Sequence, residues 1–355
     1  MNLLAAYVSR TVLSSMLLVL ALLLGLDLVF SFIGELEDLK GNYQALQALQ
    51  VVALELPFRL CDVLPVAGLI GGIVGLGLLA GQSELTVMRS SGVSNSRIVW
   101  WALRPALLLV LGGLIVSQYV VPVSHERAQA VKAIAQGQDY QRGLLSGFWH
   151  READDFIHIR TVRPDAGMHD VTFYHLDQTG QLAAFSHSDA GESQPAGGWK
   201  LRDLREVRLA EEGSADVQLL GDDLWQPKLT PEFLRLVTVS PEYLPLTSLY
   251  EYSRYLDSQG LEADSYRLEF WKKTLAPLAT LSMVLIACTF IFGPLRSVTM
   301  GLRIVSGVLA GLGFRYLQDL FGYASLVYDF SPLVAASLPI AVCMVAGVVS
   351  LRRVR

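Results

Sequence analysis

The sequence predicts an α-helical membrane protein with six transmembrane helices in two sets of three, and a β-jelly-roll or sandwich domain between the third and fourth. Three observations predict it. Of the 355 residues 52% are hydrophobic, high for a soluble chain and low for one that is membrane throughout. The apolar residues fall in separate runs of about 20, the length a helix needs to cross a hydrocarbon core of roughly 30 Å. Between the two sets of runs, His125–Lys273 carries 16 Lys+Arg and 24 Asp+Glu, a soluble segment large enough for its own core.

Residues 1–124 hold the first three spans. Thr11–Gly34 is interrupted only by Asp27, while Val63–Ser83 and Pro105–Ser124 carry no charge. Arg10 before an apolar run is signal-like, but no small-residue cleavage site follows and five more spans do, so an uncleaved helix is expected. The stripe "GLIGGIVGLGLLAG" pairs Gly68/Gly72, Gly71/Gly75 and Gly77/Gly81 at a spacing of four. That spacing lets helix backbones approach closely in lipid, and it lies inside a span, unlike a nucleotide-binding loop.

The connection "GQSELTVMRSSGVSNSRIVWW" (81–101) is more than a turn. Ser83 is placed to cap a helix of about 83–92, Glu84 lies in its first turn, Arg89 in its last, and Gly92 is placed to stop it. Leu85, Val87 and Met88 form a short apolar patch that a partner can receive. A helix resting on lipid would hardly favour Glu84, the lone acid on an arginine-rich face, beside anionic headgroups. A protein groove explains it better.

Residues 125–263 read as the β-domain. "DDFIHIRTVR" has period two, with Ile157, Ile159 and Thr161 on one side and His158 and Arg160 on the other; "DVTFYHLDQTGQLAAFSH" reads as a hairpin turning at Asp177–Gly180. A short helix of about 248–259 follows, with Ser248 and Glu251 at capping-box spacing and Gly260 as its stop. The three cysteines lie in or beside spans, so this domain holds together without disulfides. Residues 264–355 then supply Thr274–Leu295, Ile304–Tyr323 (interrupted by Arg315 and Asp319) and Phe330–Leu351.

With the N-terminus inside, the inner segments hold Arg10, Arg89, Arg97, Arg104, Arg296, Arg303, Arg352, Arg353 and Arg355 against Glu84 alone. That follows the positive-inside rule. It places both termini in the cytoplasm and the β-domain outside, which in a Gram-negative bacterium is the periplasm.

No G-x-x-x-x-G-K-[ST], H-E-x-x-H or G-x-S-x-G occurs, so the chain has no phosphate-cradling loop of its own and no catalytic or metal motif. Charges inside the spans say more, because they need a partner or a wet cavity. Asp27 lies about 16 residues, roughly 24 Å, from the inner end of span one, and Arg315 about 14 residues, roughly 21 Å, from that of span five. Similar depth, with Asp319 one turn beyond Arg315, gives two compatible expectations: an Asp27–Arg315–Asp319 cluster tying the two spans, or the rim of a cavity. Lys40, Arg59, Arg127, Lys132, Arg142, Lys272 and Lys273 lie near the outer surface, where they suit an anionic lipid.

"LLAGQSELTVMRSSGVS", "FIFGPLRSVTMGLRIVSG" followed by "LQDLFG", and "LTPEFL" through "YRLEFWKK" resemble the lipopolysaccharide-export permease family along essentially the whole chain. "FGPLRS" favours its LptG branch over LptF. The resemblance implies a non-catalytic permease subunit that extracts lipopolysaccharide from the outer leaflet of the inner membrane. It implies LptF as heterodimer partner, two copies of the ATPase LptB that bind ATP and Mg, and delivery to LptC and through it LptA. No cofactor is expected on this chain itself, and no nucleic acid. By the same resemblance Glu84, Leu85, Met88 and Arg89 couple to the ATPase. Spans one, two and five line a lipid A cavity, with Asp27, Phe30 and Asp319 expected on it, and Lys132 meets phosphate. Lys40, Arg127 and Arg315 are the further candidate phosphate contacts. The family's lysines at the outer end of span one are largely missing: "SFIGELEDLKGN" offers only Lys40 against Glu35, Glu37 and Asp38.

Other readings are an LptF-like paralogue, a permease for another envelope lipid, or a membrane-anchored scaffold that transports nothing. An intramembrane hydrolase using Asp27 and Asp319 is disfavoured, since Arg315 keeps both ionised.

Overall fold

The computed structural model describes residues 2–39, 43–136, 145–152, 155–162, 167–177, 181–194, 198–209, 215–225, 239–258, 262–293 and 298–353. Six of its helices are long and apolar enough to cross a membrane. The first half comprises α1 (Asn2–Glu37), α2 (Ala45–Gly81), the short α3 (Glu84–Ser90), and α4 (Asn95–Ile115), which runs through one π-turn at Val116–Val120 into α5 (Val121–Ala135). After the β-domain come α6 (Leu246–Ser258), α7 (Asp264–Phe292), α8 (Met300–Val327) and α9 (Pro332–Arg353).

The first two helices extend well beyond their apolar runs. α2 starts at Ala45, far ahead of Val63, and so carries Glu55, Arg59 and Asp62 on a continuous helix. Hydropathy marks where lipid touches the helix, whereas the hydrogen-bond ladder continues until something breaks it. Pro57 and Pro65 lie within α2 without ending it, as neighbouring helices permit in a membrane bundle.

Burial identifies the middle of the bundle. The apolar windows of α2 and α7 are 67% and 56% buried, against 17–28% for the other four spans. Glycine makes this possible. A Cβ on Gly71 would stand 2.4 Å from the Met16 Cα, and one on Gly75 2.9 Å from the Val12 Cα, so α1 lies directly on the α2 backbone. Gly68 and Gly72, on another face, admit Thr280, Val284 and Ala287 of α7. The expected third pair does not pack as one: Gly77 meets Met300, but Gly81, at the helix end, has open space around it.

An antiparallel β-domain lies between spans three and four, as expected. Its strands are β1 (Leu145–Glu152), β2 (Asp155–Val162), β3 (Met168–Leu176), β4 (Leu182–Ser193), β5 (Trp199–Leu209) and β6 (Ala215–Trp225), each paired with the next in sequence. Ile157 and Ile159 point inward with Met168, Val171 and Trp199, and Tyr252 and Leu256 of α6 complete this core. The β3–β4 hairpin closes where expected: the Asp177 amide donates to the Gln181 carbonyl at 2.8 Å, and the Gln181 amide to Asp177 Oδ1 at 2.9 Å. Residues 178–180 of that turn lie outside the described residues, as do Gly260, "LTPEFL" and most of "FGPLRS".

The helix expected at 248–259 starts earlier, at Leu246, so Ser248 sits inside its first turn and is not its cap. The Pro245 carbonyl accepts from the Leu249 amide at 3.0 Å. Gln118, from the π-turn of span three, supplies the capping side chain: its Oε1 accepts from the Leu246 amide at 2.9 Å and its Nε2 donates to Thr247 Oγ1 at 3.2 Å. A tertiary partner thus replaces the local cap, which no local motif reveals.

Candidate functional site

Three places bear on function: the short helix α3, the ion pairs of the outer half of the bundle (the half nearer the β-domain), and a cavity beside those pairs.

α3 forms where expected, but its start and its apolar face differ from expectation. Ser83 adopts the left-handed conformation (φ 62°) and makes no side-chain cap. Its carbonyl instead accepts from the Thr86 and Val87 amides at 3.1 Å, because the α2–α3 turn is too tight for an extended cap. Gly92, at φ 86°, ends the turn after α3 as expected. Leu85 and Met88 are buried in the same core as Ala5, Val8 and Val12 of α1 and Ile98 and Ala102 of α4. They are therefore not free for a partner; an apolar stripe next to its own bundle folds onto that bundle first. Val87 remains on the open face, 61% exposed, with Glu84 and Arg89 half-buried at its edge. The Tyr7 hydroxyl donates to Glu84 Oε1 at 3.0 Å. The second oxygen, Glu84 Oε2, is buried and has no hydrogen-bond partner among the described residues.

The expected Asp27–Arg315–Asp319 cluster is replaced by two separate groups, one around each arginine. Arg59 binds Asp27 and Glu55, each at 2.9 Å, and Arg315 binds Asp62 at 2.6 Å. α2 stands between spans one and five, so each intramembrane charge takes its counter-ion from that nearer helix. Sequence reasoning missed Asp62 and Arg59 in this role because both precede the uncharged run. The i,i+4 spacing of Glu55 and Arg59 was the available signal that the helix already runs there.

Lys132 binds Glu35 at 3.0 Å and Asp38 at 2.9 Å. The acids that dominate the end of span one thus neutralise a cation of α5. Arg127 is exposed, and Phe30 is exposed on α1. Lys40 lies outside the described residues.

A cavity of about 670 Å³ opens between α2, α4, α7, α8 and the 3₁₀ turn Pro241–Tyr243. Arg315 and Asp319 line it, but Asp27 and Phe30 do not, and no α1 residue contributes. The walls of this cavity are spans two to five, since α1 lies against the opposite glycine face of α2. Glu242 on the turn has its pKa raised, first by burial and then by Glu269. Tyr243 is pushed up to about 12 by burial and stacks on His125 with ring centroids 3.5 Å apart. That stack holds the turn against α5. Among the described residues no group of His, Cys, Asp and Glu is arranged to hold a metal ion.

Residues 6–353 match the family described as "Lipopolysaccharide export system permease LptF/LptG". The lipopolysaccharide export system permease protein LptG of Escherichia coli K12 is 32% identical over 340 residues, covering 94% of each chain. LptG of Haemophilus influenzae is 30% identical over 340 residues, covering 95% of each. Six membrane-length helices and an inserted β-domain fit a multi-pass permease subunit. With nearly the whole chain matched, this protein belongs to the LptF/LptG family of lipopolysaccharide export permeases.

Proposed function

We propose that the chain is the LptG-type transmembrane subunit of an ATP-driven exporter in a Gram-negative inner membrane. It pairs with LptF. Two copies of LptB bind ATP and Mg and hydrolyse the nucleotide. The β-domain, in the periplasm, passes lipopolysaccharide to LptC and through it to LptA. The observation that carries this reading is the family match along nearly all of the chain, together with the two LptG relatives.

Charge supports the orientation: α3 and the inner arginines lie at the ends of the spans away from the β-domain, as cytoplasmic loops require. α3 is the coupling element of the reading, with Val87 exposed and Glu84 and Arg89 at its edge, while Leu85 and Met88 anchor it from within. Of the described basic residues near the outer surface, Arg127, exposed on α5, is the one most open to lipid A phosphates. Phosphate at Lys132 competes with Glu35 and Asp38, and at Arg315 with Asp62.

The test is purification of the tagged protein from its own host in mild detergent, with mass spectrometry of what accompanies it. A cytosolic ATPase, a second six-span permease and lipid A are the expected companions. Recovery of periplasmic partners alone, with no ATPase, would reduce α3 to an interfacial helix and favour a scaffold.

A further inference from the structure

The cavity between α2, α4, α7 and α8 has the polarity gradient of a lipid. At the end nearer the β-domain it presents Glu242, Glu269, Lys272, Lys273 and Asp319, with Asp62 and Arg315 below them; deeper in the bundle its wall is Leu64, Val66, Val110, Ala279 and Phe314. Its mouth is lateral. Tyr323, Leu326 and Arg315 line it and are exposed, and the consecutive helices α7 and α8 meet only weakly.

Size and charge narrow the occupant. About 670 Å³ lies in the range of small-ligand sites, room for one headgroup and a single acyl chain, with the rest of a lipid left in the bilayer. Among the described residues the lining cations are Lys272, Lys273 and Arg315, and the lining carboxylates Asp62, Glu242, Glu269 and Asp319. A headgroup with several phosphates needs an excess of cations, and here the excess is of carboxylates.

Pairing within the wall narrows it further. Arg315 is bound to Asp62 and Lys272 to Glu269. Glu242 and Asp319 have no ion pair among the described residues. Lys273 donates to the Leu244 carbonyl at 2.6 Å, which uses one of the three N–H donors of an ammonium group. Glu242 accepts from the Tyr243 hydroxyl and lies in the field of Lys272 and Lys273, and Asp319 in that of Arg315, so what is left over is two carboxylates without a close counter-ion beside one cation with donors to spare. Carboxylates in a low-dielectric wall are costly without a cationic partner.

We propose that this cavity holds a single zwitterionic, amine-headed phospholipid of the bilayer. Its ammonium group meets Glu242 and Asp319, its phosphate meets Lys273, and one acyl chain lies in the apolar slot towards Phe314. The lipid fills the gap between spans four and five and sets their spacing. This rests on the cavity alone and is separate from the transport reading, so either can fail without the other.

The experiment places the full-length chain, with its co-purifying partners, in nanodiscs of equal phosphatidylethanolamine and phosphatidylglycerol. After gentle release, native mass spectrometry counts the retained lipids. The expected result is one phosphatidylethanolamine per chain, with at least a tenfold preference over phosphatidylglycerol, and loss of that preference in the Glu242→Gln/Asp319→Asn double variant. Ala276→Trp, which fills the slot and leaves the charges in place, is expected to expel the lipid altogether. A photo-crosslinker at Leu326 is expected to capture phospholipid. Equal retention of the two lipids by the wild type, an unchanged preference in the double variant, or capture of lipopolysaccharide at Leu326 would each overturn the proposal.

Discussion

The hydroxyl of Tyr7 on α1 donates a 3.0 Å hydrogen bond to Glu84 Oε1 on α3. It joins the first membrane span to the short helix that connects spans two and three. Ser9 adds a second tie, its hydroxyl donating to the Trp101 carbonyl of α4 at 2.7 Å, and Leu85 and Met88 pack into the same core. The inner ends of spans one and three and α3 therefore form one unit, and a push on α3 reaches α1 directly. Tyr7→Phe removes this exposed hydrogen bond to a charged group. The expected outcome is a partial fall in partner-stimulated ATP hydrolysis, with complex assembly unchanged; an unchanged rate would show that the tie carries no coupling.

The contact of α1 on the α2 backbone gives a stability prediction. A methyl at Gly71 meets the Met16 backbone at 2.4 Å, and a backbone atom cannot swing aside. Gly71→Ala is expected to cost about 1–3 kcal/mol, the range for overpacking a filled core, measured as a lowered thermal midpoint in detergent. Gly25→Ala, in open space on α1, is expected to be neutral or slightly stabilising, since alanine favours helix over glycine by roughly 0.5–1 kcal/mol.

Ion pairing is tested by double-mutant cycles on Asp27→Asn, Arg59→Leu and Arg315→Leu. Asp27 and Arg59 are expected to show a coupling energy of about 0.5 kcal/mol or more, because their side chains are 2.9 Å apart. Asp27 and Arg315, each bound to α2, are expected to be close to additive. The reverse ranking would restore the direct link between spans one and five.

Glu242 sets a pH dependence. Burial and Glu269 hold its pKa above the ordinary value of 4.5. Below that value the carboxyl is protonated in both folded and unfolded chains and contributes no slope. As pH rises from 4.5 towards the raised folded value, the unfolded chain releases its proton first, so folded stability falls across that window and then levels. In detergent stripped of bilayer lipid, Glu242→Gln is expected to lack this fall, so its thermal midpoint gains on the wild type as pH rises. A constant difference at all pH values would show that Glu242 has an ordinary carboxyl.

What the sequence made legible, and what it hid, follows from the range of the interactions. Apolar runs, four of them uncharged, located all six spans, and period two set the inward side of β2, because hydropathy and alternation are local properties of the chain. The i,i+4 glycines of α2 revealed close packing but not which helix lies on which face. The α3 helix was legible from Glu84, Arg89 and Gly92, yet its apolar residues turned inward, since only the tertiary fold decides whether Leu85 meets a partner or its own core. Equal depth placed Asp27 and Arg315 together on paper. It carried no information about α2 standing between them. Likewise Gln118 caps α6 from 128 residues away, and Glu242 enters a membrane cavity from a turn after the β-domain; neither leaves a local trace.

The most direct test of the central claim, that α3 couples a partner's ATP hydrolysis to this permease, is the stimulated ATPase rate of the assembled complex carrying Glu84→Ala. The Glu84 carboxylate holds Tyr7 with one oxygen and keeps the other without a hydrogen-bond partner among the described residues. The expected result is loss of stimulated hydrolysis and of lipopolysaccharide release, with the ATPase still bound at normal stoichiometry. Wild-type rates from a fully assembled Glu84→Ala complex would contradict the account and leave α3 as a connection between spans.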